Sequence, residues 1–250
     1  MSDLICFTGL FGQGKTLSAV HKIYRDYKKY NNKNIYDPFR KSFVTQKVKV
    51  LTNVHLPNLN YEYMKSLSQI VSFAEKQNDI DLKSNTRTVL FVLIDEASVQ
   101  LNSRNFKSNI DATFLNTLLC SRHYNICQIV LTSQRFLLCD KLLRDVTQKV
   151  IDCRKFWRFQ VQTVYNAWEL ENCANPLLVQ PILRTGFFVR KKDYENYDTH
   201  AVVENLMKSC ANGDMLSDQE ILNLRCQNLL DNDNITSPSR KLRLIRKKKN

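Results

Sequence analysis

Short apolar runs alternate with longer amphipathic stretches through residues 4–153 of the chain. Each apolar run has the length of a single strand, and five strands are predicted: Leu4–Thr8, Val48–Asn53, Thr88–Ile94, Gln128–Leu131 and Lys149–Cys153. Helical patterns separate these runs and predict four helices: Lys15–Tyr30, Tyr63–Gln77, Thr113–His123 and Asp140–Arg144. Strands that alternate with helices in this way predict an α/β fold, with a mostly parallel sheet and helices on both of its faces.

The pattern changes after Phe156. An antiparallel strand pair is predicted there, formed by Trp157–Tyr165 and Ile182–Val189. Helices with N-capping residues are predicted further on, at Thr199–Ala211 and Ser217–Asn228. Two polar stretches, residues 28–47 and 104–111, predict surface loops. We therefore expect a main domain over residues 1–198, a helical extension over 199–230 and a flexible, basic tail over 231–250.

A glycine-rich segment follows the first predicted strand. Residues 9–16 are Gly-Leu-Phe-Gly-Gln-Gly-Lys-Thr, a full match to the phosphate-binding loop pattern G-x-x-x-x-G-K-[ST]. A glycine turn at the start of a helix directs backbone N–H groups and the positive end of the helix dipole towards phosphate. We therefore predict that a nucleoside triphosphate binds here, through Gly9, Gly12, Gln13, Gly14, Lys15 and Thr16.

Two acids, Asp95 and Glu96, follow the strand predicted at Thr88–Ile94. A buried apolar strand that ends in this way is typical of a Walker B motif. Asp95 is expected to hold Mg²⁺ beside the hydroxyl of Thr16. Glu96 is expected to orient and deprotonate the water that attacks the γ-phosphate. The alternative is that both acids simply cap the next helix, but the nearby phosphate-binding loop favours the catalytic interpretation.

A polar triplet ends the next predicted strand, in the sequence Gln128-Ile-Val-Leu-Thr-Ser-Gln134. We expect Gln134 to contact the γ-phosphate or the attacking water, so that the site distinguishes a triphosphate from a diphosphate. Ordinary turn chemistry is the alternative explanation of this triplet.

Motors with this layout work as rings, in which a neighbouring subunit supplies an arginine to the γ-phosphate. Arg122 is the first candidate for that arginine, and its rivals are Arg104, Arg135 and Arg144. The guanine-selecting pattern N-K-x-D is missing, because the segment that begins Asn32-Lys33 lacks the acid. Adenine is therefore the favoured base, and ATP and Mg²⁺ are the expected cofactors.

The chain is basic, with a formal net charge of +13, and the charge is unevenly distributed. The segment Arg240–Lys249 holds seven basic residues and no acid. This balance predicts salt-sensitive affinity for polyanions, although a solvated chain end is the alternative. We expect a cytoplasmic protein, because the sequence has no signal peptide and no apolar run of membrane-spanning length. The eight cysteines lack metal-ligand spacing and predict reduced core thiols.

Four segments together resemble a known family. Gly9–Thr16, Ile94–Ala97, Ser121–His123 and Leu131–Gln134 are similar to the zonular occludens toxin-like ATPases of phages, which belong to the FtsK/HerA superfamily of ring-forming DNA motors. The resemblance covers roughly residues 1–160 and implies a RecA-like P-loop NTPase core that hydrolyses ATP. It implies the roles given above for Lys15, Thr16, Asp95, Glu96 and Gln134. It also implies a homo-oligomeric ring that serves virion assembly in a bacterial host, with capsid or membrane assembly proteins as partners.

Three functions remain open. The first is a DNA motor, most concretely a genome-packaging ATPase, in which the segment Arg104–Lys107 and the basic tail grip DNA without reading its bases. The second is an assembly ATPase that drives filamentous phage extrusion, with residues 240–249 on anionic lipid. The third is a nucleotide-gated scaffold that does not hydrolyse ATP. Filamentous-phage members carry a membrane span and a further domain after the ATPase core, and the lack of both here favours packaging.

Overall fold

The computed structural model describes residues 3–38, 40–64, 69–97, 124–139, 141–175 and 178–197. In these ranges the strands are β1 (Asp3–Thr8), β2 (Lys33–Asp37), β3 (Ser42–Thr52), β4 (Tyr61–Tyr63), β5 (Thr86–Ile94), β6 (Ile126–Thr132), β7 (Lys149–Phe156), β8 (Phe159–Asn166) and β9 (Leu183–Phe188). The helices are α1 (Lys15–Tyr30), α2 (Gln69–Lys83), α3 (Lys141–Val146), α4 (Ala167–Asn172) and α5 (Lys191–Glu195). A short 3₁₀ turn spans Phe136–Leu138.

All of these strands join one sheet, in the order β2-β3-β5-β6-β1-β7-β8-β9, and β4 pairs with the second half of β3. The pairs from β3 through to β7 are parallel, whereas β2–β3, β7–β8 and β8–β9 are antiparallel. The strand β6 lies between β1 and β5. Because these three strands are parallel, the segments that follow them meet at one edge of the sheet, which is where α/β folds place their ligand sites.

Helices cover both faces of the sheet. Alternate residues of a strand point to opposite faces, and β1 shows both sides of this pattern. Leu4 and Cys6 belong to the apolar core that also holds residues of α2, α3 and α4, including Ile70, Leu143 and Ala167. The intervening residues of β1 are buried on the side of α1, whose apolar face carries Leu17, Val20 and Ile23. The predicted α/β fold, with a mostly parallel sheet and a small antiparallel part at its end, is confirmed.

Two sequence predictions are wrong. Residues 28–47 were expected to form a surface loop, yet they contain β2 and the start of β3 as an antiparallel hairpin. This hairpin lies at the edge of the sheet, so half of its paired side chains are exposed and its sequence lacks an apolar run. The helix predicted from Tyr63 is the second error, because Tyr61–Tyr63 is a strand and α2 begins at Gln69.

The remaining boundaries are close to the predicted ones, and α1 has the predicted ends. The antiparallel pair is β8 and β9, and Trp157 lies in the turn before β8 with a φ of 54°. Several predictions lie outside the described residues: the loop 104–111, the helices 113–123, 199–211 and 217–228, and the tail 231–250. Among the described helices, none has both the length and the apolar character needed to span a membrane.

Candidate nucleotide-binding site

The glycine-rich loop connects β1 to α1 at the carboxyl edge of the sheet. Its three glycines have positive φ angles: 148° at Gly9, 72° at Gly12 and 74° at Gly14. Residues that carry a side chain rarely adopt this backbone conformation, so the loop depends on glycine for its shape.

Two of these glycines are also needed for close packing against the β7–β8 hairpin. A Cβ at Gly9 would lie 2.7 Å from the carbonyl oxygen of Cys153. A Cβ at Gly14 would collide with the side-chain amide of Gln160. The loop is therefore pressed against the hairpin: a larger residue at Gly9 would push it away from the backbone of Cys153, and one at Gly14 would displace the side chain of Gln160.

The start of α1 is open to an anion. Gly14 is the N-cap residue and provides no side-chain cap, and the first turn holds no acid. The first N–H groups of a helix have no partner within the helix, and they carry the positive end of its dipole. Lys15 is buried, and its ammonium Nζ donates to the carbonyl oxygen of Leu10 at 3.3 Å. The loop thus concentrates hydrogen-bond donors and a cation around its centre, as a polyphosphate requires.

Asp95 comes directly after β5 and lies beside the start of α1. Its carboxylate Oδ1 accepts hydrogen bonds from the hydroxyls of Thr16, at 2.9 Å, and of Thr132, at 2.5 Å. Burial raises the pKa of Asp95, while these two hydrogen bonds and the charge of Lys15 act to lower it. The predicted pair of Thr16 and Asp95 is therefore brought together across the sheet, with Thr132 as a third member.

Asn53 follows β3 and holds the backbone of Asp95 from the other side. Its side-chain Nδ2 donates to the carbonyl oxygen of Asp95 at 3.0 Å, and its Oδ1 accepts from the Asp95 N–H at 2.8 Å. Sequence reasoning missed this role because it depends on β3 and β5 being neighbours, although a polar residue directly after an apolar strand is a signal that could have been used.

Glu96 adopts a left-handed conformation, with a φ of 51°. Its N–H donates to the hydroxyl Oγ1 of Thr132 at 2.9 Å, so one threonine positions both acids. Its carboxylate Oε2 is buried without a hydrogen-bond partner. Burial and then the charge of Asp95 raise the pKa of Glu96, and Lys15 opposes the rise. A carboxyl group with a raised pKa and an unused oxygen is suited to accept a proton from water.

These residues fit a magnesium nucleotide. Mg²⁺ takes hard oxygen ligands, and it commonly uses only one or two carboxylates of the protein, with phosphate and water completing its shell. The hydroxyl of Thr16 and the carboxylate of Asp95 supply such oxygens at hydrogen-bonding distance from each other. Among the described residues, no group of three or more His, Cys, Asp or Glu side chains could hold a metal ion, so the site does not resemble a metal cage built by protein alone.

Gln134 lies beside the loop, in the segment that follows β6. Its carbonyl oxygen accepts from the N–H of Gly9 at 3.3 Å. Gln134 also lines a cleft of about 560 Å³, together with Gly9, Gln13 and Arg135. The structure thus brings Gln134 to the loop, as the sequence predicted.

Gln13 has a different role from its neighbours in the loop. Its side-chain Oε1 accepts from the N–H of Lys155 at 3.0 Å, and its carbonyl oxygen accepts from the side chain of Gln160 at 2.9 Å. Two donors of Gln13 are therefore left for a phosphate: its side-chain Nε2 and its backbone N–H, which here donates to the carbonyl oxygen of Leu10 at 3.3 Å.

The arginine candidates divide into three groups. Arg122 and Arg104 lie outside the described residues. Arg144 is in an ion pair with Glu171 at 3.3 Å, which ties it to α4. Arg135 is exposed and lines the cleft beside Gly9.

A half-buried tyrosine that sequence reasoning missed lies in the segment that follows α5. The segment after α5 returns across α1, where the carbonyl oxygen of Asn196 accepts from the hydroxyl of Tyr24 at 3.2 Å. The next residue is Tyr197. Burial, followed by the charges of Tyr194 and Asp95, raises the pKa of the Tyr197 hydroxyl to about 12.

Comparison with protein families identifies the group to which this fold and loop belong. The family model of zonular occludens toxin (Zot) matches residues 4–175, which is more than half of the 250-residue chain. This chain belongs to the Zot family. The match includes the loop, both acids and Gln134, and the sheet order places them on a RecA-like P-loop NTPase fold. No curated protein sequence matches the chain.

Three solved structures are similar to this chain, and the first of them supports the assignment of the fold. The N-terminal domain of zonular occludens toxin from Neisseria meningitidis is 20% identical, with a TM-score of 0.54 over 79% of this chain and 100% of that one. The genome packaging NTPase B204 from Sulfolobus turreted icosahedral virus 2, in complex with ATP-gammaS, is 15% identical, with a TM-score of 0.40 over 67% and 93%. A DnaB-like replicative helicase is 11% identical, with a TM-score of 0.46 over 78% and 57%.

Proposed function

We propose that this Zot-family chain is a magnesium-dependent ATPase that drives virion assembly as a DNA motor, with phage genome packaging as its most concrete task. One observation carries the ATPase part: Thr16 of the loop is hydrogen-bonded to Asp95, and the adjacent Glu96 has a buried carboxylate oxygen with no partner. A buried carboxylate oxygen with no hydrogen-bond partner is available to accept a proton from water, as a catalytic base requires.

Each residue of the site has a distinct part in this proposal. The backbone N–H groups at the start of α1 and the ammonium of Lys15 hold the phosphates. Thr16 and Asp95 hold Mg²⁺, which neutralises charge on the phosphates when it is bound. Glu96 orients a water and removes its proton, and Gln134 reports whether the γ-phosphate is present. Asn53 and Thr132 keep the two acids in position.

The ATPase proposal is tested by the variant Glu96→Gln, which keeps the shape of the side chain and removes the base. We expect binding of a fluorescent ATP analogue within about twofold of the native protein, and a loss of turnover of about 10²–10⁴-fold. Glu195→Gln, a carboxyl-to-amide change at an exposed position of α5, is the matched control and should leave turnover unchanged. An undiminished rate in Glu96→Gln would remove Glu96 from its proposed role.

The DNA part of the proposal is supported by the net charge of +13 and by the basic segment Arg240–Lys249. We place the protein in the bacterial host cytoplasm, as a homo-oligomeric ring that contacts phage capsid proteins. ATPase activity should rise with single- or double-stranded DNA, and the mass in solution should be that of a ring when ATP and Mg²⁺ are added. The ring motor would be refuted if the protein stayed monomeric under all conditions and DNA did not stimulate its ATPase activity.

Arg122 is the arginine that we propose acts on the neighbouring subunit's nucleotide. Arg122→Ala alone and Lys15→Ala alone should each be inactive. Mixed rings should recover part of the activity, because a Lys15→Ala subunit still offers its arginine to a neighbour that has an intact loop. Activity that does not recover on mixing would exclude Arg122 as an arginine acting between subunits.

A second function is favoured by one specific observation, the presence of Leu242, Leu244 and Ile245 among the basic residues of the tail. Apolar residues among cations suit an anionic membrane surface, which would fit an ATPase recruited to a membrane for filamentous phage extrusion. Stimulation of ATP hydrolysis by anionic vesicles and not by DNA would favour this function. ATP binding without hydrolysis under either condition would favour a nucleotide-gated scaffold.

A further inference from the structure

The end of the sheet formed by β7, β8 and β9 has one face that points away from α1. Residues opposite each other in antiparallel strands share a face. This face contains three cross-strand rows: Phe156, Phe159 and Phe188; Arg154, Val161 and Gly186; and Asp152, Thr163 and Arg184. We call these rows the aromatic–basic face. Phe156 is 80% exposed and Phe188 is 70% exposed, which is unusual for two large apolar side chains in one row.

The aromatic row is held in a defined arrangement. The ring of Phe159 lies directly on Gly186, where an added Cβ would come within 2.7 Å of the ring. Phe159 and Phe188 meet edge to face, with their ring centroids 4.9 Å apart and an angle of 63° between the rings. The chain has five glycines, and three of them form the phosphate-binding loop. A glycine at 186 therefore marks a second place where close approach to the backbone is required.

The charge on and around this face is positive. Asp152 is the one acid in the sequences of the three strands, and it is in an ion pair with Arg154 at 3.1 Å. Arg184 is exposed on the same face. One further exposed basic residue, Arg158, lies in the turn between β7 and β8. Exposed rings among cations match the chemistry of single-stranded nucleic acid, whose bases stack on aromatic side chains while its phosphates pair with Lys and Arg.

We propose that the aromatic–basic face binds single-stranded nucleic acid by stacking bases on Phe156 and Phe188 and pairing phosphates with Arg184. This proposal rests on the proposed function only in taking nucleic acid as the partner, and it requires no ATP hydrolysis. The aromatic–basic face is connected to the nucleotide site, because the opposite face of the β7–β8 hairpin contacts the phosphate-binding loop. Gln160, the neighbour of Phe159, donates to the carbonyl oxygen of Gln13 at 2.9 Å.

The test is fluorescence anisotropy of a labelled oligothymidylate with the full-length chain, without nucleotide and at several salt concentrations. Phe156→Ala and Phe188→Ala should each weaken binding about 10-fold or more, because a stacked base is lost. Phe188→Tyr should restore most of the affinity, since the ring is kept. Arg184→Ala should lower the slope of log affinity against log salt by about one, because one phosphate contact is removed.

The matched control is the double variant Tyr36→Ala/Phe43→Ala. These rings also meet edge to face, at 5.6 Å, and are 54% and 70% exposed, but they lie on the β2–β3 hairpin at the other end of the sheet. This variant should bind the oligonucleotide like the native protein. Unfolding temperatures of all variants should stay within a few degrees of the native value, since the truncated rings are exposed.

The same variants distinguish single-stranded nucleic acid from other possible partners of the aromatic–basic face. Unchanged oligonucleotide affinity in both Phe156→Ala and Phe188→Ala would overturn the proposal. Loss of self-association in sedimentation with DNA affinity retained would assign the face to contacts between copies and overturn it, as would loss of binding to anionic vesicles alone. Binding of a fluorescent ATP analogue is measured separately. If the ATPase proposal fails, the oligonucleotide assay still tests whether this face binds nucleic acid.

Discussion

Thr132→Val is the sharpest test of how the two acids are held. Valine has nearly the same shape as threonine but lacks the hydroxyl, which donates to Asp95 at 2.5 Å and accepts from the N–H of Glu96 at 2.9 Å. A hydrogen bond to a charged group contributes about 1.5–3 kcal/mol, and leaving a buried N–H unsatisfied costs about 1–3 kcal/mol. Since the added methyl group recovers part of this loss through apolar burial, we expect the free energy of unfolding to fall by about 2–4 kcal/mol.

Catalysis should fall in the same variant, because the acids lose a common support. Removing a residue that orients a metal ligand typically reduces activity about 10- to 100-fold, and we expect a decrease in kcat of that size. Binding of ATP to the loop should change less, since the hydrogen bonds of the Thr132 hydroxyl go to Asp95 and Glu96 and not to Lys15 or Thr16. The assays are urea unfolding and steady-state ATP hydrolysis, with Thr163→Val on β8 as the matched control.

The effect on stability should depend on pH in a defined direction. Burial holds the pKa of Asp95 above its ordinary value of 3.8, so between that value and the raised one the folded state binds more protons than the unfolded state. Stability from this group therefore falls as pH rises through that interval. The hydrogen bond from Thr132 lowers the pKa of Asp95, so its loss extends the fall to higher pH. The difference between variant and native protein should be smaller near pH 3.8, where the loss at the N–H of Glu96 remains, and largest at neutral pH. Equal stability and equal kcat at pH 7.5 would refute this account of Thr132.

Three further predictions concern the same site. Asn53→Ala should lower the free energy of unfolding by about 1–3 kcal/mol in urea titrations, because two buried hydrogen bonds to the backbone of Asp95 are lost. Gly9→Ala should abolish binding of a fluorescent ATP analogue while Gly12→Ala weakens it less, because a Cβ at Gly9 meets the carbonyl oxygen of Cys153 at 2.7 Å and one at Gly12 meets nothing within 4 Å; equal effects would contradict this packing argument. The raised pKa of Glu96 predicts that kcat/KM rises with pH through a value above the ordinary 4.5, and a pH profile unchanged in Glu96→Gln would assign that rise to another group.

The sequence predicted those parts of the site that are local. The loop 9–16 and the pair Asp95-Glu96 are each contiguous, and each contains its own chemical signal. Their meeting could also be predicted, because the carboxyl ends of parallel strands share an edge of the sheet. The family match is in accord with both motifs.

The supporting residues could not be predicted in the same way. Asn53 and Thr132 act on Asp95 from the ends of two other strands, so their roles follow from the strand order and not from any local pattern. The attachment of Gln13 to Lys155 spans 142 residues of sequence and depends on how the antiparallel hairpin packs on the loop. The β2–β3 hairpin was missed for another reason: an edge strand with exposed side chains has the composition of a loop.

The position of β6 has a consequence for how the site tolerates evolutionary change. Ile94, Leu131 and Cys6 lie in one row across β5, β6 and β1, so the acids begin one residue beyond this row and the loop begins three residues beyond it. Two strand spacings of about 4.8 Å separate the outer strands, and peptide hydrogen bonds set that width whatever the side chains are. The lateral distance between the phosphate-binding loop and the two acids is thus set by the backbone of the sheet. Side chains elsewhere in the sequence can therefore change without altering this distance, provided that β5, β6 and β1 keep their register.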